Sequence, residues 1–326
     1  MTAVTVRVPA KVNLQLAVGP VRPDGFHELV TVFHAISLYD EVTVSEAGRR
    51  RVTVTGEGAA AVPDGEDNLA VQAVTALARA AGLPPRRVPR VVSQSSGSPA
   101  AAGPGVAIEI RKRIPVAAGL AGGSADAAAT LVACNELWRA GLSQQELAEV
   151  AAGIGSDVAF ALVGGTSVGQ GRGERLTPAL VTGQYHWVLA FAADGLPTAD
   201  VYRACDRIRA ARDIVAAPPR LSNELMSALR SGDPAEVGPL LGNELQPAAV
   251  SLRPELRRTL AVGREYGALG AIVSGSGPTC AFLVADAHRA VDLVVALTGA
   301  GVCRSAVRAV GPAQGAVVVS PSAMMD

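Results

Sequence analysis

The sequence predicts a two-domain α+β protein, and three observations carry that expectation. At 326 residues the chain is long enough for two cores. Its first half is rich in period-two alternation, with Val4, Val6 and Val8 and then Val12, Leu14, Leu16 and Val18 at every second position. Beyond Pro178, helical stretches interleave with short apolar runs of strand length. The expected division is residues 1–177 and 178–326.

Composition narrows the class. Hydrophobic residues make up 49% and charged residues 18%, a globular balance. No apolar run is long enough to span a bilayer, and the N-terminus lacks a basic segment leading into an apolar one. A cytoplasmic protein without membrane partners is expected. Net charge is zero and aromatics are 3%, with no basic aromatic patch, so nucleic acid is not expected as a partner. Cys134, Cys205, Cys280 and Cys303 form no C-x-x-C, which points to reduced thiols. The histidines at 27, 34, 186 and 288 lack metal-ligand spacing. Of 29 basic residues only Lys11 and Lys112 are lysines, which draws attention to Lys11 in an otherwise apolar strand.

In chain order, the first strands break at Pro9-Ala10. Lys11 and Asn13 fall on the face opposite Val12 and Leu14, and periodicity alone favours a solvated strand lysine. Arg22-Pro23-Asp24-Gly25 has turn chemistry and leads into Phe26-His27-Glu28. An apolar run over 29–38 follows, and 41–45 with 51–55 alternate like a hairpin. A helix is expected over 68–81, ended by Gly82 and Pro84, and a Pro-, Ser- and Gly-rich loop over 84–105. A strand over 106–114 enters the glycine turn. The next helix, about 124–140, carries Leu131, Cys134, Leu137 and Trp138 as its apolar stripe. Ser143 and Glu146 form a capping box for a helix over 144–152, closed by Gly153.

In the second half, strands are expected at 185–192, 270–273, 280–284 and 302–310. Helices are expected at about 199–215, 221–231, 235–241, 254–266 and 288–300.

The glycine turn is the centre of the chemistry. Gly119, Gly122 and Gly123 stand between a strand and a helix, followed by Ser124. The first amides of a helix have no intrahelical acceptor, and the dipole places partial positive charge there. Such a turn suits an anion, phosphate above all. A Cβ at Gly122 is expected to stand where the backbone must approach that phosphate. Neither G-x-x-x-x-G-K-[ST] nor a true G-x-G-x-x-G is present, so this is not a Walker loop or a dinucleotide turn.

Four separated motifs occur in order: Pro9-Ala10-Lys11-Val12-Asn13-Leu14, the turn from Pro115 to Ser124, Gly155-Ser156-Asp157, and Ser274-Gly275-Ser276-Gly277-Pro278-Thr279. Together they resemble the GHMP kinases, small-molecule kinases named for galactokinase, homoserine, mevalonate and phosphomevalonate kinases. RPDGFHEL at 22–29, Asp67-Asn68-Leu69 and Leu196-Pro197-Thr198 with Tyr202 are similar to the branch acting on a cytidyl diphosphate sugar-alcohol in the non-mevalonate isoprenoid route. The resemblance covers the chain except the 84–105 loop and the last dozen residues.

The resemblance implies an N-terminal ATP-binding domain with a β-rich sheet and helices, a C-terminal α+β ferredoxin-like domain, and a site in the cleft between them. It implies transfer of phosphoryl from ATP, with Mg²⁺, to the 2-hydroxyl of a methylerythritol moiety. A monomer or homodimer is expected.

Asp157 matches the family's catalytic aspartate and Lys11 the lysine beside it. Standing alone, Asp157 would read as a turn carboxylate. The ATP loop is carried over onto Pro115, Val116, Ala117, Ala118, Gly119, Leu120, Ala121, Gly122, Gly123, Ser124 and Ala125, with Ser124 offering a hydroxyl to phosphate or Mg²⁺. Gly275, Ser276 and Gly277 support that loop. Asn68 matches a position near the nucleotide and equally suits an N-cap.

For the substrate, Phe26 and Tyr202 match a pair of aromatics around the cytosine, and His27 the reader of its edge. Asn13 and Thr198 match polar contacts near the reacting hydroxyl and the diphosphate. Tyr202, on a helix, also suits plain packing. Ala121 and Ala125 depart from the family's G-L-G-G-G-S-S, and Ala159 replaces the proline of D-V-P-F. Homoserine or mevalonate chemistry and a non-catalytic relative are the competing expectations.

Overall fold

The computed structural model describes residues 2–84 and 104–319. The expected 84–105 loop lies outside the described residues except at its ends.

The first sheet begins with two long strands, β1 (Ala3–Val21) and β2 (His27–Glu46), which pair antiparallel. Pro9-Ala10 does not end β1. It shifts the register between Tyr39 and Ile36 of β2, a bulge that absorbs the missing proline amide. β3 (Arg51–Gly56) does not form the expected hairpin with β2. After helix α1 (Leu69–Ala80), strand β4 (Val106–Lys112) returns between them, antiparallel to β2 and parallel to β3. Alternation predicted both strands correctly; pairing depended on a segment more than fifty residues further along.

Helix α2 (Gly122–Trp138) follows the glycine turn. Leu131, Cys134, Leu137 and Trp138 pack on the core as expected, but the burial is not one-sided, because its residues from Ala125 to Leu131 are all buried. Small Ala side chains let this stretch sit deep between β1, β2, α1 and a fourth helix, and a helical segment buried all round need not be amphipathic.

Helix α3 (Gln144–Ile154) begins at the full Ser143–Glu146 capping box and runs through Gly153 to Gly155. Helix α4 (Ser156–Val163) starts immediately after. Strands β5 (Thr166–Gly171) and β6 (Arg175–Pro178) complete a hairpin against β2.

The second sheet opens with β7 (Tyr185–Phe191). Helices α5 (Thr198–Ala211), α6 (Asn223–Ser231) and α7 (Pro234–Val237) follow. A two-residue strand β8 (Gly242–Asn243) then pairs with β1 of the first sheet. Helix α8 (Gln246–Leu252), not anticipated from the sequence, precedes α9 (Glu255–Glu265), β9 (Gly270–Val273), β10 (Cys280–Val284), α10 (Ala287–Gly299) and β11 (Ser305–Gly311). The strand order β11-β7-β10-β9, all antiparallel, is that of a ferredoxin-like split β-α-β unit. The chain then returns to the first sheet, where β12 (Val317–Val318) pairs with β1.

β1 links the two cores. Val4, Val6, Val8, Ala10, Val12 and Leu14 belong to the core beneath the first sheet, and Leu16 and Val18 to the core of the second. The cleft between the sheets therefore runs along the middle of β1.

Candidate active site

A cavity of about 430 Å³ lies in that cleft. Lys11 and Asn13, two positions apart on β1, point into it together. Lys11 is only 6% exposed, so the solvated reading is corrected. Alternation marks two faces of a strand, and here both faces are covered, one by α2 and the other by the loop bearing Gly275.

Lys11 Nζ donates to Asn13 Oδ1 at 2.6 Å and stands 3.8 Å from Asp157 Oδ2. It also lies 5.8 Å from the Phe33 ring. Asn13 Nδ2 in turn donates to Thr31 Oγ1 at 2.8 Å, and Thr31 to the Gln15 carbonyl at 2.7 Å. Burial pulls the Lys11 ammonium below the ordinary lysine value, against the opposing pull of Asp157. Asp157 sits in the first turn of α4, where the helix dipole favours a carboxylate.

The glycine turn forms another wall. Ala117, Ala118, Gly119, Ala121, Gly122, Gly123 and Ser124 line the cavity; Pro115, Val116, Leu120 and Ala125 do not, and Leu120 and Ala125 pack in the core. The loop is held from several sides. Lys11 N donates to the Leu120 carbonyl at 3.3 Å, Leu196 N to Ala117 at 3.0 Å, Thr279 N to Ala118 at 3.3 Å, and Ser274 Oγ to Gly119 at 3.1 Å. Gly119 has φ 77°, and a Cβ there would overlap the Ser274 carbonyl, so glycine is required.

Gly122 differs from the sequence expectation. Its Cβ would point inward, 3.1 Å from Lys112 Nζ and 3.2 Å from Ile114, away from the cavity. At Gly123 a Cβ would meet nothing nearer than Leu69 at 3.8 Å. Ala117 and Ala121 adopt the left-handed conformation, with φ 50° and 60°.

From the second sheet, Gly275 and Ser276 line the cavity and Gly277 does not. Thr198 Oγ1 and Ser276 Oγ are 3.0 Å apart. Asn68 is the N-cap of α1, accepting from Ala70 N at 2.8 Å and donating to the Pro63 carbonyl at 2.7 Å. Its amide is thus engaged within the chain, and its neighbour Leu69 reaches the cavity instead.

A second cavity of about 620 Å³ adjoins the first through Leu29, Ser156, Arg172, Thr198 and Tyr202. Phe26, His27 and Tyr202 line it. The His27 and Tyr202 rings are 5.0 Å apart, and His27 Nε2 donates to Asp206 Oδ1 at 2.9 Å. Burial, with Asp157 adding to it, holds the Tyr202 phenol well above the ordinary tyrosine value. Phe26 is 55% exposed, with the Arg172 guanidinium 5.0 Å over its ring.

The sequence reading missed Arg172, Asp40, Asp126 and the part played by Lys112. Lys112 Nζ donates to Asp40 Oδ2 at 2.5 Å and Asp126 Oδ2 at 2.6 Å, all three fully buried. Asp40 Oδ1 also accepts from the amides of Arg113 and Ile114, at 2.6 and 2.9 Å. Burial works against the Lys112 charge, and the Asp126 and Asp40 carboxylates outweigh it, holding its ammonium above the ordinary lysine value. Burial raises the Asp126 carboxyl above the ordinary carboxylate value, and Lys112 pulls it back toward the charged form. The rarity of lysine marked Lys112 as strongly as Lys11.

Among the described residues no three His, Cys, Asp or Glu gather as a metal site, and no helix is long and apolar enough to cross a membrane. Ser124, beside the loop amides, is a hard oxygen donor of the kind Mg²⁺ takes alongside phosphate oxygens and water.

The chain matches the family described as "GHMP kinases N terminal domain" over residues 68–165 and "GHMP kinases C terminal" over 225–303. It is 53% identical over 323 residues to the 4-diphosphocytidyl-2-C-methyl-D-erythritol kinase of Mycolicibacterium gilvum, covering 98% of this chain and 94% of that protein. The protein of the same name from Nocardia farcinica is 53% identical over 320 residues, 98% of this chain and 97% of its own. A crystal structure of 4-(cytidine 5'-diphospho)-2C-methyl-D-erythritol kinase superposes with a TM-score of 0.71 at 32% identity, over 94% of this chain and 98% of that one. A mevalonate kinase from L. major shares the fold, with a TM-score of 0.68 at 16% identity over 95% and 96% of the two chains. The chain therefore belongs to the GHMP kinases, within the family of the 4-diphosphocytidyl-2-C-methyl-D-erythritol kinases.

Proposed function

We propose that this protein uses ATP to phosphorylate the 2-hydroxyl of 4-(cytidine 5'-diphospho)-2-C-methyl-D-erythritol, giving the 2-phosphate and ADP in the non-mevalonate isoprenoid route. The observation that carries it is the Lys11–Asp157 pair, 3.8 Å apart, between a glycine loop and an adjoining aromatic cavity. Phosphoryl transfer needs a positioned hydroxyl, electrostatic stabilisation of the moving group and a proton acceptor.

In this reading Asp157 accepts the hydroxyl proton as general base. Lys11, held by Asn13, keeps the carboxylate in place and stabilises charge on the attacking oxygen. The amides at the start of α2 hold the β- and γ-phosphates. Ser124 would be the protein-side donor to Mg²⁺, which would supply neutralising charge at those phosphate oxygens. Thr198, with Ser276 and Arg172, lies where the two cavities meet and receives the substrate diphosphate. Phe26 and Tyr202 flank the cytosine and His27, fixed by Asp206, reads its edge.

The division at 177/178, a cytoplasmic location and a monomer or homodimer belong to the same proposal.

A coupled ADP-release assay tests it, comparing the cytidyl substrate with homoserine and mevalonate. Turnover with the cytidyl compound alone is expected. Preferential turnover of homoserine or mevalonate would leave only the broader kinase reading.

A further inference from the structure

The glycine loop begins and ends on one buried ion cluster. Lys112 is the last residue of β4, immediately before the loop. Asp126 lies in the first turns of α2, just after it. Asp40, from β2, accepts the amides of the two residues that lead into the loop, Arg113 and Ile114. One ammonium, bonded to both carboxylates at 2.5 and 2.6 Å, therefore closes the base of the loop.

The cluster also underlies the loop's working part. Lys112 Nζ would stand 3.1 Å from a Cβ on Gly122, the first helical residue. It touches neither cavity. An apolar plug would pack this space at lower desolvation cost, since buried ion pairs contribute little net stability. What a three-way ionic junction supplies is directional geometry, with its partners fixed on three different elements.

We propose that the Asp40–Lys112–Asp126 cluster is a positioning device for nucleotide phosphates, fixing the start of α2 relative to β4 so that the loop amides converge on one point. This rests on the reading that the glycine loop binds ATP. Loss of the cluster leaves the loop's outer hydrogen bonds to Leu196, Thr279 and Ser274 in place but frees its base. The amides then diverge, and nucleotide binding weakens with no change at the Lys11–Asp157 pair.

Asp126→Ala is the test variant, because Lys112 keeps Asp40 as partner and no charge is orphaned. Calorimetric titration with a non-hydrolysable ATP analogue and Mg²⁺ is expected to show affinity about tenfold weaker, the scale on which lost preorganisation acts. KM for ATP rises in parallel, while kcat at saturating ATP and KM for the cytidyl substrate stay within about threefold. Asp126→Asn, which keeps an oxygen toward Lys112, restores most of the affinity. A lowered thermal midpoint with wild-type nucleotide affinity in Asp126→Ala would overturn the proposal.

If Asp126→Ala does not fold, the wild-type protein still decides. It has two lysines, so ¹³C-lysine labelling gives two side-chain signals, distinguished by a Lys11→Met sample. The Lys112 signal is expected to shift when the analogue binds; an unmoved signal would refute the coupling. Gly123→Val separates the two readings. If it leaves nucleotide affinity intact, the loop itself is not the ATP site. If it abolishes binding while Asp126→Ala does not weaken it, only the positioning role fails.

Discussion

Lys11 Nζ lies 2.6 Å from Asn13 Oδ1 and 3.8 Å from Asp157 Oδ2. The short bond goes to a neutral amide on its own strand, and the longer contact to a carboxylate on α4. The lysine is thus held by the scaffold first, with Asp157, 31% exposed at its side chain, left able to meet a substrate hydroxyl.

Asp157→Asn preserves that geometry and removes the proton acceptor. The expected result is a kcat lower by about a hundredfold or more, the usual worth of a positioned base. Calorimetry with ATP and with the cytidyl substrate should give near-normal affinities. Near-normal turnover would remove Asp157 from the mechanism.

Lys11→Met should separate activity from stability. The buried lysine has a lowered pKa, so between that value and 10.5 the folded state binds fewer protons than the unfolded state. Stability from this group therefore rises with pH through that window, and below it the buried charge costs stability. The variant is expected to be inactive, with a thermal midpoint at neutral pH equal to or above that of the wild type. The difference should narrow as pH is raised toward 10.5. Scanning calorimetry across pH checks the sign.

The left-handed Ala121 gives a third expectation. An L-residue pays roughly 1–2 kcal/mol in that conformation, partly offset because glycine is more flexible when unfolded. Ala121→Gly should raise stability by up to about 1 kcal/mol in chemical denaturation, since only the difference between these terms remains. Gly119→Ala should lower it by more than about 2 kcal/mol, because its Cβ meets the Ser274 carbonyl rather than a movable side chain.

Substrate choice is tested at Phe26. A stacking contact is worth about 0.5–1.5 kcal/mol beyond area burial, so Phe26→Ala should raise KM for the cytidyl substrate by about three- to tenfold. KM for ATP should be unchanged. The side chain is 55% exposed, so folding should be little affected. Methylerythritol 4-phosphate, lacking the base, should be a very poor substrate, because the groups that would bond the base edge are left unpaired.

Local chemistry in the sequence carried far. The Ser143–Glu146 box, the Asn68 cap and the glycine turn each appear where residue type demanded. What was not legible depended on partners distant in sequence. Alternation could not reveal that the polar face of β1 is covered, so Lys11 read as solvated. β3 could not announce that β4 would come between it and β2. Asp126 stands in an alanine-rich run and Asp40 ends an apolar one, and only their meeting at Lys112 gives either a purpose. Arg172, in a glycine-rich hairpin, carried no signal until Phe26 and Thr198 were placed beside it.

Both lysines of the chain are buried, Lys11 within β1 and Lys112 at the end of β4, and every other basic side chain except histidine is arginine. An endoprotease specific for lysine must draw its target into an extended cleft, so the folded first sheet offers it no bond to cut. Digestion at Lys11-Val12 and Lys112-Arg113 becomes a direct count of molecules in which that sheet has opened. Because one of these bonds lies within the catalytic strand and the other just before the phosphate loop, bound nucleotide should slow the digestion in proportion to its occupancy.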